Sequence, residues 1–212
     1  MTKGMFITIE GPDGAGKSTV LKKLVERLDK AIRPNIITTR EPGGILISEK
    51  IRHIILDPNH TEMDDRTEAL LYASARRQHL VEKVNPALEQ GALVLCDRFV
   101  DSSLAYQGEA RGIGMKEIKE INDFATNGQE PDLTLYLDIQ PELGLKRIQR
   151  RKELDRLDQE TLAFHHKVRK GYLKVLEANP NRVKKVDASA SLDKVVETCY
   201  DLIKEKYPEI FK

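Results

Sequence analysis

The stretch MFITIEGPDGAGKST, residues 5–19, constrains the fold more than any other part of the chain. An apolar, β-rich run from Met5 to Ile9 enters a glycine-rich turn, and the turn opens a segment whose apolar positions, Val20, Leu21, Leu24, Val25 and Leu28, share one helical face. Further β-rich runs occur at NIITT (35–39), ALVLCD (92–97), LTLYLD (133–138) and RVKKVD (182–187), with helical patterns between them. That alternation predicts βαβ units and a mainly parallel sheet. Leu192, Val195, Val196, Cys199, Leu202 and Ile203 predict a C-terminal helix with one apolar stripe. Pro86 should kink or break the helical pattern that runs from Asp64 to Gln90, because proline has no N–H to donate and its ring crowds the preceding turn.

Gly11–Ser18 satisfies G-x-x-x-x-G-K-[ST] at every fixed position. Glycines at these places let backbone N–H groups converge on phosphate oxygens. Lys17 can reach the β and γ phosphates, and the Ser18 hydroxyl can join a Mg²⁺ shell. A following helix aims the positive end of its dipole at the same point. The motif identifies a nucleotide site but not a reaction. Asp13 is out of character in it: a carboxylate is repelled by polyphosphate, so its side chain is expected to turn toward hydrogen-bond donors or to serve the turn itself.

Composition narrows the classes. The 212 residues suit one domain with a sizeable core, and 35 Lys and Arg against 34 Asp and Glu leave a net charge of +1. No global field therefore favours nucleic acid or an anionic membrane. Cys96 and Cys199 are too far apart in sequence to suggest a disulfide framework or metal cluster. The first apolar run ends at Glu10, too short for a signal-peptide core, and no later run approaches a membrane span, so a cytoplasmic protein is expected.

Three other constellations carry chemistry. Asp97, at the carboxyl end of the third predicted strand, stands where a Mg²⁺-linked aspartate belongs beside a phosphate loop, and Arg98 follows it to meet a phosphate or simply to pair with the aspartate. KRIQRRKELDR, 146–156, holds six basic and two acidic residues and reads either as a solvated helix face or as a cationic lid over a transferring phosphoryl group. Tyr72 and Arg76, four apart in RTEALLYASARRQH, share a helix face; they can offer a ring and donors to a base, or be a core tyrosine and a surface arginine.

Taken in order, EGPDGAGKST (10–19), TREPGG (39–44), RTEALLYASARRQH (66–79), CDRF (96–99), SSLAYQG (102–108) and ELDRLDQE (153–160) resemble the bacterial thymidylate kinases, from about residue 5 to about residue 190. The resemblance implies a three-layer α/β P-loop NTPase fold: a five-stranded parallel sheet flanked by helices, one domain over 1–212 with a small lid near 146–158. It also implies transfer of the ATP γ-phosphoryl group to dTMP, giving dTDP for dTTP synthesis, with Mg²⁺, in a homodimer that binds neither nucleic acid nor membrane.

Carried over to matching positions, the resemblance assigns Gly11, Pro12, Asp13, Gly14, Ala15, Gly16, Lys17, Ser18 and Thr19 to ATP, and Ser18 and Asp97 to the metal. Arg98 would bridge donor and acceptor phosphates, and Arg52, with Glu41 beside it on the dTMP side, would grip the dTMP phosphate. Tyr72 takes the place of an aromatic that stacks on thymine. Arg76, Gln107 and Ser103 would read the base edge, Tyr106 would crowd the sugar 2′ position, and Asp13 would accept from the 3′-OH. Family members carry the catalytic arginine in the phosphate loop or in the lid. This loop has none, so the lid must supply it, from Arg150, Arg151 or Arg156. The loop VDASAS (186–191) matches the adenine side loosely, and ILIS (45–48) departs from the threonine or proline and small residues found after REPGG in many relatives.

Overall fold

A computed structural model of the chain describes residues 4–149 and 155–212. Five strands, β1 (Met5–Glu10), β2 (Ile36–Arg40), β3 (Leu93–Asp97), β4 (Leu133–Asp138) and β5 (Val183–Asp187), form one parallel sheet in the order β2-β3-β1-β4-β5. The sheet is the expected one, with boundaries shifted by at most a residue at each end. β4 is buried along its whole length, whereas the edge strand β2 is largely half-exposed, as its Thr- and Arg-containing sequence requires.

Side-chain alternation along β1 sends Ile7 and Ile9 to one face and Phe6, Thr8 and Glu10 to the other. On the first face α1 (Lys17–Leu28) and α9 (Leu192–Lys206) bury Leu24, Leu28, Val195, Cys199 and Ile203 against Ile7, Leu95 and Leu135. The predicted C-terminal stripe does this packing. On the second face Phe6, Val94 and Cys96 meet Phe99, Leu80 and Val84. Beside them Tyr136 stacks on Tyr172, ring centroids 5.1 Å apart. Cys96 and Cys199 are thus buried in different layers, with no disulfide between them.

After α2 (Leu46–Leu56), the long helical pattern is resolved into α3 (Asp65–His79), a π-helical turn at Leu80–Val84 and α4 (Asn85–Glu89). Pro86 does not end the helix. The wide turn just before it absorbs the mismatch that proline's missing donor and bulky ring create. A second π-helical turn, Leu104–Ala110, extends the short helix α5 (Val100–Ser103) and carries Tyr106 and Gln107. After it come α6 (Met115–Thr126), α7 (Pro141–Ile148) and α8 (Leu162–Ala178).

All five strands end on a charged residue: Glu10, Arg40, Asp97, Asp138 and Asp187. Parallel strands gather these ends on one edge, where ligands of open α/β sheets bind. Helix α8 lies so close to the second π turn that a Cβ on Gly171 would sit 2.7 Å from Cα of Ala105. Gly171→Ala is therefore expected to push that turn outward and cost about 1–3 kcal/mol of stability in urea denaturation.

Candidate active site

The phosphate loop is shaped by two left-handed glycines pressed against neighbouring backbone. Gly11 has φ 145° and a Cβ there would lie 2.5 Å from Leu137 O; Gly14 has φ 77° and its Cβ would lie 2.1 Å from Gly144 O. No side chain fits at either place, so the loop is seated on the end of β4 and on α7. Helix α1 begins at Lys17 with no acidic residue in its first turn, leaving the positive end of its dipole uncompensated. Lys17 Nζ donates to Gly11 O (2.9 Å) and Pro12 O (3.0 Å). Burial, reinforced by Arg98, pushes its pKa down to about 8. Ser18 Oγ donates to Asp97 Oδ2 at 2.7 Å, and Ser18, Thr19 and Asp97 all line one cavity with Lys17.

Asp13 points away from the loop's hollow. Its Oδ1 accepts from Arg98 Nη2 and its Oδ2 from the Tyr106 hydroxyl at 2.6 Å. Burial alone would raise its pKa, but Arg98, Lys17 and the Tyr106 hydrogen bond outweigh that and hold it down at about 2. Arg98 also donates to Gly11 O (3.1 Å) and lies 5.2 Å from the centroid of the Tyr106 ring. Its φ of 71° is unusual for a residue with a side chain. That turn brings Phe99 N–H to Glu10 Oε1 at 2.6 Å. Glu10 is fully buried and also accepts from Ser102 Oγ (2.5 Å) and Tyr172 OH (3.0 Å). Burial and the nearby Asp101 push its pKa up to about 7.

The same cavity continues away from the loop, lined by Arg52, Tyr72, Arg76, Ser103, Tyr106 and Gln107. Arg52 donates to Pro42 O (3.1 Å) and has no ion-pair partner among the described residues; burial and the neighbouring Arg40 lower its pKa. A half-buried guanidinium without a carboxylate is suited to an anion that arrives with the ligand. Arg76 is 2% exposed and its donors are largely committed, Nε to Glu41 Oε2 (2.7 Å), Nη1 to Ser103 Oγ (3.2 Å) and Asn122 Oδ1, and Nη2 to Phe99 O (3.1 Å). One N–H on Nη2 is left for the cavity. Glu41 is buried between Arg76 and His79, whose Nδ1 lies 2.8 Å from Glu41 Oε1, so it holds Arg76 in place from behind.

Most of the sequence-derived residues thus gather into one cavity; Gly11, Pro12 and Ala15 are part of the loop but do not line it. Arg156 lies elsewhere: its Nε donates to Ile55 O (2.9 Å), its Nη2 to Glu68 Oε2, and it does not line the cavity. Arg150 and Arg151 lie outside the described residues. The ILIS segment, Ile45–Ser48, provides the N-cap and first residues of α2, with Ser48 Oγ donating to Ala75 O at 2.7 Å. VDASAS joins the phosphate loop through Arg147, whose Nη1 donates to Gly14 O (3.3 Å) and Ala188 O (3.2 Å). Sequence reasoning missed Glu10, Glu68, Arg111 and Tyr172. A carboxylate directly after an apolar strand marks Glu10; nothing local marks the others, whose partners are distant in sequence.

A P-loop NTPase fold whose phosphate loop shares a cavity with Arg52, Arg76 and Arg98 defines the class: a nucleotide-binding phosphotransferase scaffold. Comparison with known proteins narrows this. The family model described as thymidylate kinase matches residues 9–199. A thymidylate kinase from Enterococcus faecalis is 63% identical over 99% of this chain and 100% of its own length, and one from Clostridium novyi is 56% identical over 96% and 100%. The crystal structure of thymidylate kinase from Ehrlichia chaffeensis superimposes with a TM-score of 0.78 at 30% identity, covering 96% of this chain and all of that one. The chain belongs to the thymidylate kinase family.

Glu10 holds its proton more tightly in the folded chain than in the unfolded one, so its contribution to stability is complete below about pH 4.5 and is lost as pH rises through about 7. Glu10→Gln cannot titrate. The stability difference between variant and wild type, measured by denaturant unfolding from pH 5 to pH 9, should shift in the variant's favour between about pH 5 and pH 7 and level off above that; a difference independent of pH would refute the assignment.

Proposed function

We propose that the chain transfers the γ-phosphoryl group of ATP to a 5′-phosphate oxygen of dTMP, giving ADP and dTDP. The observation that carries this reading, beside family membership, is the single cavity in which a phosphate loop and an arginine-bearing pocket share Asp13 and Arg98 as a common wall. The acceptor oxygen is already anionic, so no protein nucleophile is needed; alignment and neutralisation of charge carry the rate. Lys17 and the loop amides hold the donor phosphates. Arg98 faces both phosphates, Arg52 holds that of dTMP, and Tyr72 supplies the ring under the base. Asp13, turned from the donor side, is free on its remaining lone pairs to accept from the sugar 3′-OH. Tyr106, pinned to it, limits space at C2′.

Ser18 and Asp97 fit the protein side of a Mg²⁺ site: an aspartate and a hydroxyl 2.7 Å apart at the loop, two oxygen ligands of the kind this ion takes beside substrate phosphates and water. When bound, the ion would offset the negative charge of the substrate phosphates. With Arg156 held on Glu68 outside the cavity, a lid arginine from Arg150 or Arg151 completes the cationic surround. We read residues 1–212 as one cytoplasmic domain with its lid near 146–158.

We further propose a homodimer. Exposed Ile47 and Ile54 on α2, Leu70 on α3, Val81 in the turn after it and Phe124 on α6, the last 92% exposed, are large apolar side chains on neighbouring elements, with α2, the turn and α6 all packed on α3. Light scattering should report a dimer that Phe124→Glu with Leu70→Glu converts to monomer.

The deciding assay is coupled ADP release with dTMP beside dUMP, dCMP and GMP as acceptors. The reading requires preference for dTMP, and preference for any of the others overturns it. Lys17→Met or Arg98→Ala should lower turnover by at least about a hundredfold with the fold retained by circular dichroism. In the wild type kcat/KM for ATP should fall on the alkaline side with a midpoint near 8, as free Lys17 loses its proton.

A further inference from the structure

Glu68 is a fully buried carboxylate, one turn before Tyr72 on α3, and it does not line the cavity. Four donors from three side chains converge on it. Gln107 Nε2 donates to its Oε1 at 2.7 Å, Arg111 donates from Nε (3.4 Å) and Nη2 (3.1 Å), and Arg156 Nη2 donates to Oε2. Burial opposes the charge, but Arg111 and the hydrogen bonds from Arg156 and Gln107 keep the carboxyl pKa below its ordinary value, so Glu68 is ionised. An ionised carboxylate only accepts. Gln107 must therefore turn its amide nitrogen inward.

We propose that Glu68 is a positioning residue that fixes the orientation of the Gln107 amide, so that the carbonyl oxygen is what Gln107 presents to the acceptor base. This rests on the kinase reading above. A fixed acceptor suits a pyrimidine with an N3–H, as in thymine, and opposes cytosine, whose N3 is itself an acceptor. Arg76, with one donor left, suits a 4-oxo group and opposes a 4-amino group in the same way. Selection is thus set two side chains deep. The clamp also reaches the segment after residue 154: Arg156 is tied to α2 through Ile55 O (2.9 Å) and Leu56 O (3.2 Å, backbone to backbone), and Arg111 holds Glu160 at 2.5 Å. Seating of Asp155–Glu160 and orientation of the base reader therefore depend on the same carboxylate.

The test is the ratio of kcat/KM for dTMP over dCMP. Glu68→Gln keeps the shape but lets the Gln107 amide flip, and should lower this ratio by roughly tenfold or more, the loss expected when a hydrogen bond to a charged group no longer enforces one orientation. The change should appear mainly in KM for the acceptor, with KM for ATP little altered. In a Gln107→Leu background the same substitution should have no further effect on the ratio, since the pair acts as one unit. Arg156→Gln, which loosens the clamp from outside the cavity, should lower the ratio in the same direction, and it decides the matter if Glu68→Gln does not fold. An unchanged ratio, or an undiminished effect without Gln107, overturns the proposal. Wild-type turnover of dTMP tests separately the reading on which it rests.

Discussion

Glu10 ties the site to the sheet. It ends the central strand β1, and its buried carboxyl gathers the Phe99 amide, the Ser102 amide and hydroxyl and the Tyr172 phenol around one point. Those groups belong to the turn after β3, to α5 and to α8. Each would be a costly orphan if buried without a partner. The left-handed Arg98 is held within this arrangement: its own N–H goes to Ile9 O (3.0 Å), and the next amide goes to Glu10. Local backbone strain persists where surrounding contacts over-determine it, and here the contacts come from three elements. The guanidinium is thereby aimed at the phosphate loop.

The charges of the cavity are unevenly compensated, and the imbalance has a direction. Asp13 is satisfied by Arg98 and Tyr106 and stays ionised far below neutral pH. Lys17 and Arg52 are the opposite case: burial lowers the pKa of each, and each donates to backbone carbonyls in place of a carboxylate. A cation held in that way costs free energy until an anion reaches it. Two such cations line one cavity, Lys17 at the phosphate loop and Arg52 on α2, a charge pattern consistent with the proposed binding of two phosphate-bearing substrates.

Much of this was legible in the sequence because it is local. A β-rich run, a glycine loop and a helical stripe between residues 5 and 28 are contiguous, and the strand positions follow from alternation of apolar runs. The parallel edge then gathers Asp97, Arg98 and the loop without further information. What escaped is nonlocal. Glu68 looks like a surface glutamate on a charged helix, yet Gln107, Arg111 and Arg156 converge on it from 39, 43 and 88 positions away. Arg76 shows the same limit: the sequence offered either a base reader or a surface arginine, whereas the structure buries it with most donors spent on protein. The π-helical turn before Pro86 also has no local signal, since a proline in a helical pattern marks a conflict but not how the chain settles it.

Asp13, the misplaced charge of the phosphate loop, is the point at which sequence and structure most usefully meet. If it served only the turn, a neutral side chain would do, and its carboxyl oxygens would be directed at nearby loop amides. They are directed instead at Arg98, which the β3 turn delivers, and at Tyr106, which the second π turn delivers. The aspartate therefore spans from the loop to two elements of the other pocket. In the proposed reaction this has a physical consequence: half of the Arg98 fork is held by Asp13 and the other half faces Gly11 O, so the guanidinium keeps a fixed plane between the two phosphates before either arrives. Orientation of the bridging cation is then settled during folding, and little of the binding energy of the substrates has to be spent on it.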